Sequence, residues 1–77
     1  MRVKVMNRLY NMGQSEYKGL LQVASEQVPF GIYAIEKRGY AELRNDRCNS
    51  ITQLKVLTRQ FRQQGFKVLS NRGASNG

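Results

Sequence analysis

The 77-residue chain contains no histidine and no tryptophan, and it has only one cysteine and one proline. The absence of histidine removes the residue type that most often acts as a general base or a metal ligand. The single cysteine, Cys48, has no partner for a disulfide within the chain and no histidine with which to form a Cys–His nucleophile pair. Glycine-rich phosphate loops of the two standard spacings are absent as well. These absences predict a protein that is not an enzyme and that carries no metal or cofactor.

Acidic residues are also few. Five Asp and Glu residues stand against 13 Lys and Arg residues, which gives a net charge of +8 at pH 7 and a pI of about 10.3. Such a positive field attracts polyanions over long distances and weakens as the salt concentration rises. Nucleic acid, RNA or DNA, is therefore the expected partner. An acidic protein surface is the alternative that the charge leaves open.

Long apolar runs are missing too. No segment approaches the ~20 consecutive apolar residues that a membrane-spanning helix requires. The first ten residues, MRVKVMNRLY, alternate basic and apolar residues and lack the apolar core of a signal peptide. Together with the single cysteine, these features favour the cytoplasm and no membrane contact. A chain of this length has room for one domain, which we expect at residues 1–70, followed by a flexible tail at 71–77.

The first third of the chain shows two periodicities. The segment RVKV alternates basic residues with valines and predicts a strand at about Arg2–Met6. The following segment, NRLYNMG, contains turn formers and interrupts the pattern. From Ser15 onward, apolar residues recur at helical spacing until Pro29. This spacing predicts a helix at about Glu16–Gln27 with Ser15 as its N-cap.

The segments FGIYAIEK and YAELR are rich in β-formers and predict a hairpin that turns at Gly39. The register of this hairpin decides which side chains share a face. With a two-residue loop, Arg38-Gly39, Tyr33 lies on the same face as Tyr40. With a three-residue loop, residues 37–39, Ile32 and Ala34 lie on that face in place of Tyr33. Turn chemistry slightly favours the three-residue loop.

The second helix is the clearest element. Ser50, followed three residues later by a glutamine, forms a capping box, and apolar residues then recur every three or four positions. Gly65 is a C-terminal cap, and Phe66 beyond it is placed to touch Phe61 in a Schellman motif. The pattern predicts a helix at about Ile51–Gln64, and the segment FKVLS after it predicts a last strand.

Cys48 lies in the polar connection before this helix. A thiol next to Arg47 and near a helix N-terminus can have a lowered pKa. We favour the alternative, that Cys48 is a small, partly buried loop residue.

The order strand, helix, strand, strand, helix, strand predicts an α+β fold. With right-handed crossovers this is a split βαβ, ferredoxin-like sandwich, in which two helices pack on one face of a four-stranded antiparallel sheet. The main alternative loses the first or the last strand and leaves two helices on a three-stranded sheet.

The basic residues supply the candidate binding site. Lys55, Arg59 and Arg62 recur at helical spacing and form one stripe along the second helix, where they can contact phosphates. A solvated helix face gives the same pattern, and the two interpretations are evenly balanced. A second surface is predicted on the sheet. The candidate nucleic-acid-binding residues are Arg2, Lys4, Arg38, Tyr40, Arg44, Lys55, Arg59 and Arg62.

The hairpin segment RGYAELRN, residues 38–45, resembles the octapeptide of the RNA-recognition motif. Five constrained positions agree, and the element order is that of the family. The resemblance implies that bases stack on aromatic side chains of the sheet, but Lys4 and Glu42 stand at two of the three aromatic positions and only Tyr40 remains. Each lost platform removes ~1–3 kcal/mol of stacking. We therefore interpret the match as shared hairpin geometry.

Taken together, the sequence predicts a small, basic, non-catalytic protein that binds nucleic acid mainly through phosphate contacts. The alternative is a small inhibitor or adaptor, of the type encoded by phages and mobile elements, that docks on a larger host protein, for example by adding a strand at a free sheet edge. A homodimer that buries the sheet face is a third, weaker hypothesis.

Overall fold

The computed structural model describes residues 1–72, and their side chains as far as residue 69. Residues 1–72 form five strands and two helices. In chain order they are β1 (Arg2–Val5), β2 (Arg8–Asn11), α1 (Gln14–Gln27), β3 (Gly31–Lys37), β4 (Tyr40–Arg47), α2 (Ile51–Gln63) and β5 (Lys67–Arg72). The last strand includes the first two residues of the predicted tail, and the remainder of that tail, 73–77, lies outside the described residues. Neither helix within residues 1–72 has the length and apolar character needed to cross a bilayer.

The five strands form one mixed sheet in the order β2-β1-β4-β3-β5. β1 pairs with β4 in parallel, and the other three strand pairs are antiparallel. The prediction of an α+β fold is confirmed. The ferredoxin-like topology is not, because the sheet has a fifth strand and a different strand order.

The additional strand explains the different order. Met6 and Asn7 have φ angles of 50° and 69°, so the chain reverses in a two-residue turn and pairs β2 with β1 along its length. The position beside β1 that the last strand occupies in a ferredoxin-like sheet is thereby filled. The last strand instead pairs with β3 at the opposite edge. The prediction that residues 7–13 form only a connection was therefore wrong.

The two helices lie on opposite faces of the sheet, and not on one face as predicted. Neighbouring residues of a strand point to opposite faces. Leu43 and Tyr17 of α1 pack against the same buried cluster, whereas the guanidinium of Arg44 lies over the ring of Phe61 in α2. The sheet is therefore the middle layer of three.

The hydrophobic core is divided in the same way. On the α2 side, the buried cluster consists of Ile32, Ile35, Cys48, Leu54 and Phe61. On the α1 side, it consists of Val3, Met12 and Ala41, with half-buried side chains around them. Each cluster is small, as expected for a chain that has to cover two faces of one sheet.

The two helix ends of α2 follow the predicted motifs. The side chain of Ser50 accepts a hydrogen bond from the backbone N–H of Gln53 at 3.1 Å. At the other end, Gly65 has a φ of 91°, the N–H of Phe66 donates to the carbonyl of Phe61 at 2.9 Å, and the two rings meet edge to face at 6.0 Å. The helix ends one residue earlier than predicted. By contrast, α1 begins after Gly13 without a side-chain cap, so the predicted N-cap at Ser15 was wrong.

Candidate nucleic-acid interface

The 13 residues of α2 include three basic residues and no acidic residue. Leu54 and Phe61 are buried against the sheet and fix the rotation of the helix about its axis. That rotation leaves Lys55, Arg59 and Arg62 exposed along one flank. These three side chains form the α2 stripe, and they line a shallow groove together with Leu54 and Thr58. The structure thus brings together the three helical residues predicted from the sequence.

The charges of the α2 stripe are not offset by neighbouring carboxylates. Among residues 1–69, ion pairs within 4 Å are formed only by Arg44, with Glu42 and with Asp46. The ammonium of Lys55 and the guanidinium groups of Arg59 and Arg62 remain available to an external anion. In such a position each group can contact a phosphate without first breaking an internal ion pair.

The predicted sheet surface lies on the same side of the molecule as α2. Lys4 is paired with Glu42 in the register of β1 and β4, and Arg2 and Tyr40 share their face because they lie two residues away. α2 packs mainly against β3 and β5, so it leaves most of this half of the face uncovered. We call the uncovered half, on β1, β2 and β4, the open sheet face. Arg38 lies at the exposed tip of the adjoining hairpin.

Arg44 is on the open sheet face, but its guanidinium forms ion pairs with the carboxylates of Glu42 and Asp46. Its Nε donates to Asp46 at 2.7 Å, and its Nη1 donates to Glu42 at 3.1 Å. The hydrogen bond to Asp46 raises the pKa of Arg44 above its ordinary value, and burial acts in the opposite direction. Its guanidinium carbon is also 5.2 Å from the centroid of the Phe61 ring. Arg44 therefore joins β4 to α2, and its positive charge is offset locally.

The hairpin between β3 and β4 has a two-residue loop, so the preference for a three-residue loop was wrong. Lys37 pairs with Tyr40, and Arg38 and Gly39 have φ angles of 55° and 82°. This is the type I′ geometry, whose twist matches that of the strands. Arginine rarely adopts the left-handed region, so the residue pair Arg38-Gly39 does not indicate a two-residue turn in the sequence.

Tyr33 does not join Tyr40 on the open sheet face. The pairing of β3 is irregular between Ile32 and Ala34, and Tyr33 is only 3% exposed. Its hydroxyl donates a hydrogen bond to the backbone carbonyl of Val28 at the end of α1. Tyr40 is half-buried and lies on the open sheet face without Tyr33 beside it.

Cys48 is a loop residue, as the favoured interpretation predicts, but it is fully and not partly buried. It is 3% exposed and packs in the α2-side cluster. Burial raises the pKa of the Cys48 thiol, and the negative charge of Asp46 adds to this effect. The thiol is therefore less ionised than an exposed cysteine at the same pH.

One further surface, on α1, was not predicted from the sequence. None of the 14 residues of this helix is fully buried, and Leu20 and Val23 are 37% and 49% exposed. The apolar spacing identified the helix but not how shallowly it packs. The weak signal was the mixture of glycine and polar residues along the helix, which leaves few large side chains to bury.

Comparisons with known proteins give no assignment. No protein-family model matches the chain, and no curated protein and no solved structure matches it. Within the described residues, no three His, Cys, Asp or Glu side chains are grouped so that they could hold a metal ion.

Proposed function

We propose that this protein binds nucleic acid without catalysing a reaction on it, and that phosphate contacts supply most of the affinity. The observation that carries the proposal is the α2 stripe: three exposed basic side chains on one helix flank, with no acidic residue in the helix and no ion pair to any described residue. A chain with a net charge of +8 adds a long-range attraction for polyanions. The proposal places the protein in the cytoplasm.

The open sheet face supplies a second set of contacts in this proposal. Arg2 and Lys4 lie there on the same side of the sheet as α2, and Arg38 extends the set to the hairpin tip. A polyanion that lies along α2 can therefore reach basic groups beyond the helix. Arg44 contributes less than these residues because Glu42 and Asp46 already share its charge. Tyr40 offers at most one stacking platform, so stacking is a minor part of the affinity.

The test is a binding titration with charge-matched variants. One variant removes the stripe by Lys55→Gln, Arg59→Gln and Arg62→Gln. The control removes three exposed cations from the α1 side by Arg8→Gln, Lys18→Gln and Lys67→Gln, which changes the net charge by the same amount. Fluorescence anisotropy with labelled single- and double-stranded RNA and DNA at low salt measures the affinity of each protein.

We expect the stripe variant to lose at least about ten times more affinity than the control. For duplex DNA, the slope of log K against log salt should become shallower by about 0.9 for each phosphate contact removed. Equal losses in the two variants would show that only the net charge matters. Undetectable binding of the unmodified protein to all four probes at low salt would refute the proposal.

A second candidate function is favoured by the exposed apolar residues of α1. Leu20 and Val23 stand on a helix that contains no fully buried residue, and such a face suits docking on a larger protein. Under this inhibitor or adaptor hypothesis, a pull-down retains one protein partner after nuclease treatment, and Leu20→Asp with Val23→Asp abolishes the retention. The stripe variant, in contrast, leaves it intact. Loss of all partners after nuclease treatment would favour nucleic acid.

A further inference from the structure

The surface of α2 that points away from the sheet has a composition of its own. Thr52, Val56, Arg59 and Gln63 follow one another at i, i+4, i+7 and i+11, so they form a single ridge. The ridge lies opposite the buried residues Leu54 and Phe61, and all four of its members are exposed. We call these four residues the outer ridge. The α2 stripe adjoins it and shares Arg59.

The outer ridge presents the side-chain groups that recognise base edges. A guanidinium can donate two hydrogen bonds to guanine, a glutamine amide can bind adenine, and the methyl groups of threonine and valine fit against the methyl of thymine. Val56 is 47% exposed, and burial in a core does not account for it. It therefore places an apolar side chain at the centre of the outer face, between the polar groups of the ridge.

The dimensions of α2 fit the major groove of B-form DNA. Its 13 residues make a rod about 20 Å long, and a helix with its side chains is about as wide as the groove. Between Lys55 and Arg62 the helix rises about 10 Å, which corresponds to about three base pairs. α2 contacts the sheet only through its inner side, so its outer half is free to enter a groove.

Duplex DNA suits these features better than RNA or a single strand. The major groove of an RNA helix is too deep and narrow for side chains to read. Single strands are bound through rows of aromatic platforms. Among residues 1–69, Tyr10 is the only exposed aromatic side chain, and it lies on the α1 face, opposite α2.

We infer that α2 is a recognition helix, which inserts its outer ridge into the major groove of double-stranded DNA and reads about three or four base pairs while the α2 stripe contacts the phosphate backbone. The inference rests on the proposed function, because it requires that the protein bind nucleic acid at all. It adds a substrate class, duplex DNA, and base-edge contacts from residues outside the stripe.

The experiment is a selection of binding sites from a library of random duplex DNA with the full chain, followed by anisotropy titrations on the selected site. We expect an enriched motif of three to five base pairs. Thr52→Ala with Gln63→Ala should relax selection at the base pairs that these two residues read, keep the selection made by Arg59, and leave the affinity for unrelated duplex DNA within about twofold. Arg59→Ala should weaken binding to the motif by about five- to a hundredfold and relax selection at one base pair. The matched control, Gln14→Ala with Gln22→Ala, changes exposed side chains of α1 and should have no effect.

The outcomes separate the inference from the proposed function. Binding to duplex DNA with no sequence preference beyond about threefold overturns base reading and leaves phosphate binding intact. Tighter binding to single-stranded RNA than to any duplex overturns the choice of ligand. Absence of binding to every nucleic acid at low salt overturns both. Amide chemical-shift mapping of the unmodified protein with the selected duplex needs no variant, and shifts confined to the sheet or to α1 would also overturn the inference.

Discussion

The hydroxyl of Tyr33 donates a hydrogen bond to the backbone carbonyl of Val28, which joins an irregular position of β3 to the end of α1. Both residues are buried, at 3% and 7% exposure. Val28 is the C-terminal cap of α1, and its own N–H donates to the carbonyl of Ala24. The contact therefore fixes the end of a helix that has no fully buried residue of its own.

Replacing Tyr33 by phenylalanine should lower the free energy of unfolding by about 1–2 kcal/mol, because the carbonyl of Val28 loses a partner in a buried place. Urea denaturation followed by far-UV circular dichroism measures the change. The control is Tyr40→Phe, which alters a half-exposed tyrosine and should shift the midpoint much less. Equal shifts in the two variants would mean that the buried hydrogen bond does not stabilise the fold.

Gly31 is a position where no side chain fits. A Cβ atom built there would overlap the backbone carbonyl of Asp46 on the neighbouring strand, which cannot move without breaking the pairing of β3 with β4. Gly31→Ala should therefore destabilise the protein by about 3 kcal/mol.

The matched control for this prediction is Gly19→Ala. The added Cβ atom meets nothing within 4 Å and lies in the middle of α1. Because alanine favours a helix over glycine, this variant should gain about 0.5–1 kcal/mol of stability. A tolerated alanine at Gly31 would contradict the close approach of the two strands.

Alkaline pH should destabilise the fold through Cys48. Burial raises the pKa of this thiol in the folded state above its ordinary value of 9.0, so the unfolded state releases the proton at a lower pH. The free energy of unfolding should therefore fall as the pH rises above about 9. Burial also raises the pKa of Tyr17, which extends the effect above its ordinary value of 10.0.

Urea denaturation at several pH values between about 7.5 and 10 measures this dependence. Cys48→Ala removes the part that belongs to the thiol, so its stability should decline less steeply above pH ~9. A thiol reagent should react slowly with the folded protein and quickly in urea, because the thiol is buried and protonated. Fast reaction under native conditions would show that Cys48 is accessible.

Arg44 should stabilise the open sheet face by separating two like charges. Arg44→Met leaves Glu42 and Asp46 on one face of β4 without the cation that bridges them. The groups are partly exposed, and solvent screens their interaction. We therefore expect the free energy of unfolding to fall by only about 1 kcal/mol, and this difference from the unmodified protein should become smaller as salt is added. Thermal unfolding at low and high salt gives the measurement. Arg47→Met, at an exposed residue with one hydrogen bond to the carbonyl of Gln27, is the control and should have a smaller effect.

Features encoded by neighbouring residues were predictable from the sequence. The start of α2 depends on Ser50 and Gln53, and its end depends on Gly65, so three local signals place the helix within one residue. The α2 stripe follows directly, since helical geometry alone brings Lys55, Arg59 and Arg62 to one flank.

Turns with unusual residues were not predictable in this way. Two-residue turns of the observed type favour Asn-Gly, but one turn here is Met6-Asn7 and the other is Arg38-Gly39. Because the first turn was not recognised, β2 was not predicted, and the second turn was predicted as a three-residue loop instead of a two-residue loop. In both, strand pairing holds a residue other than glycine in the left-handed region, at a local cost that the sequence pattern does not show.

The sequence by itself determined the elements with local signatures and the charge of the chain: an α+β composition, a strongly capped second helix, and a basic stripe along it. Only the tertiary structure decided the strand order, the placement of the helices on opposite faces, the burial of Tyr33 and the ion pairing of Arg44 with Glu42 and Asp46. The physical reason is that hydrogen-bonded caps and helical spacing act between residues a few positions apart. The strand order depends instead on which of several segments, far apart in the chain, pairs with a given sheet edge. Here β2 occupies the edge beside β1, and the last strand pairs at the opposite edge.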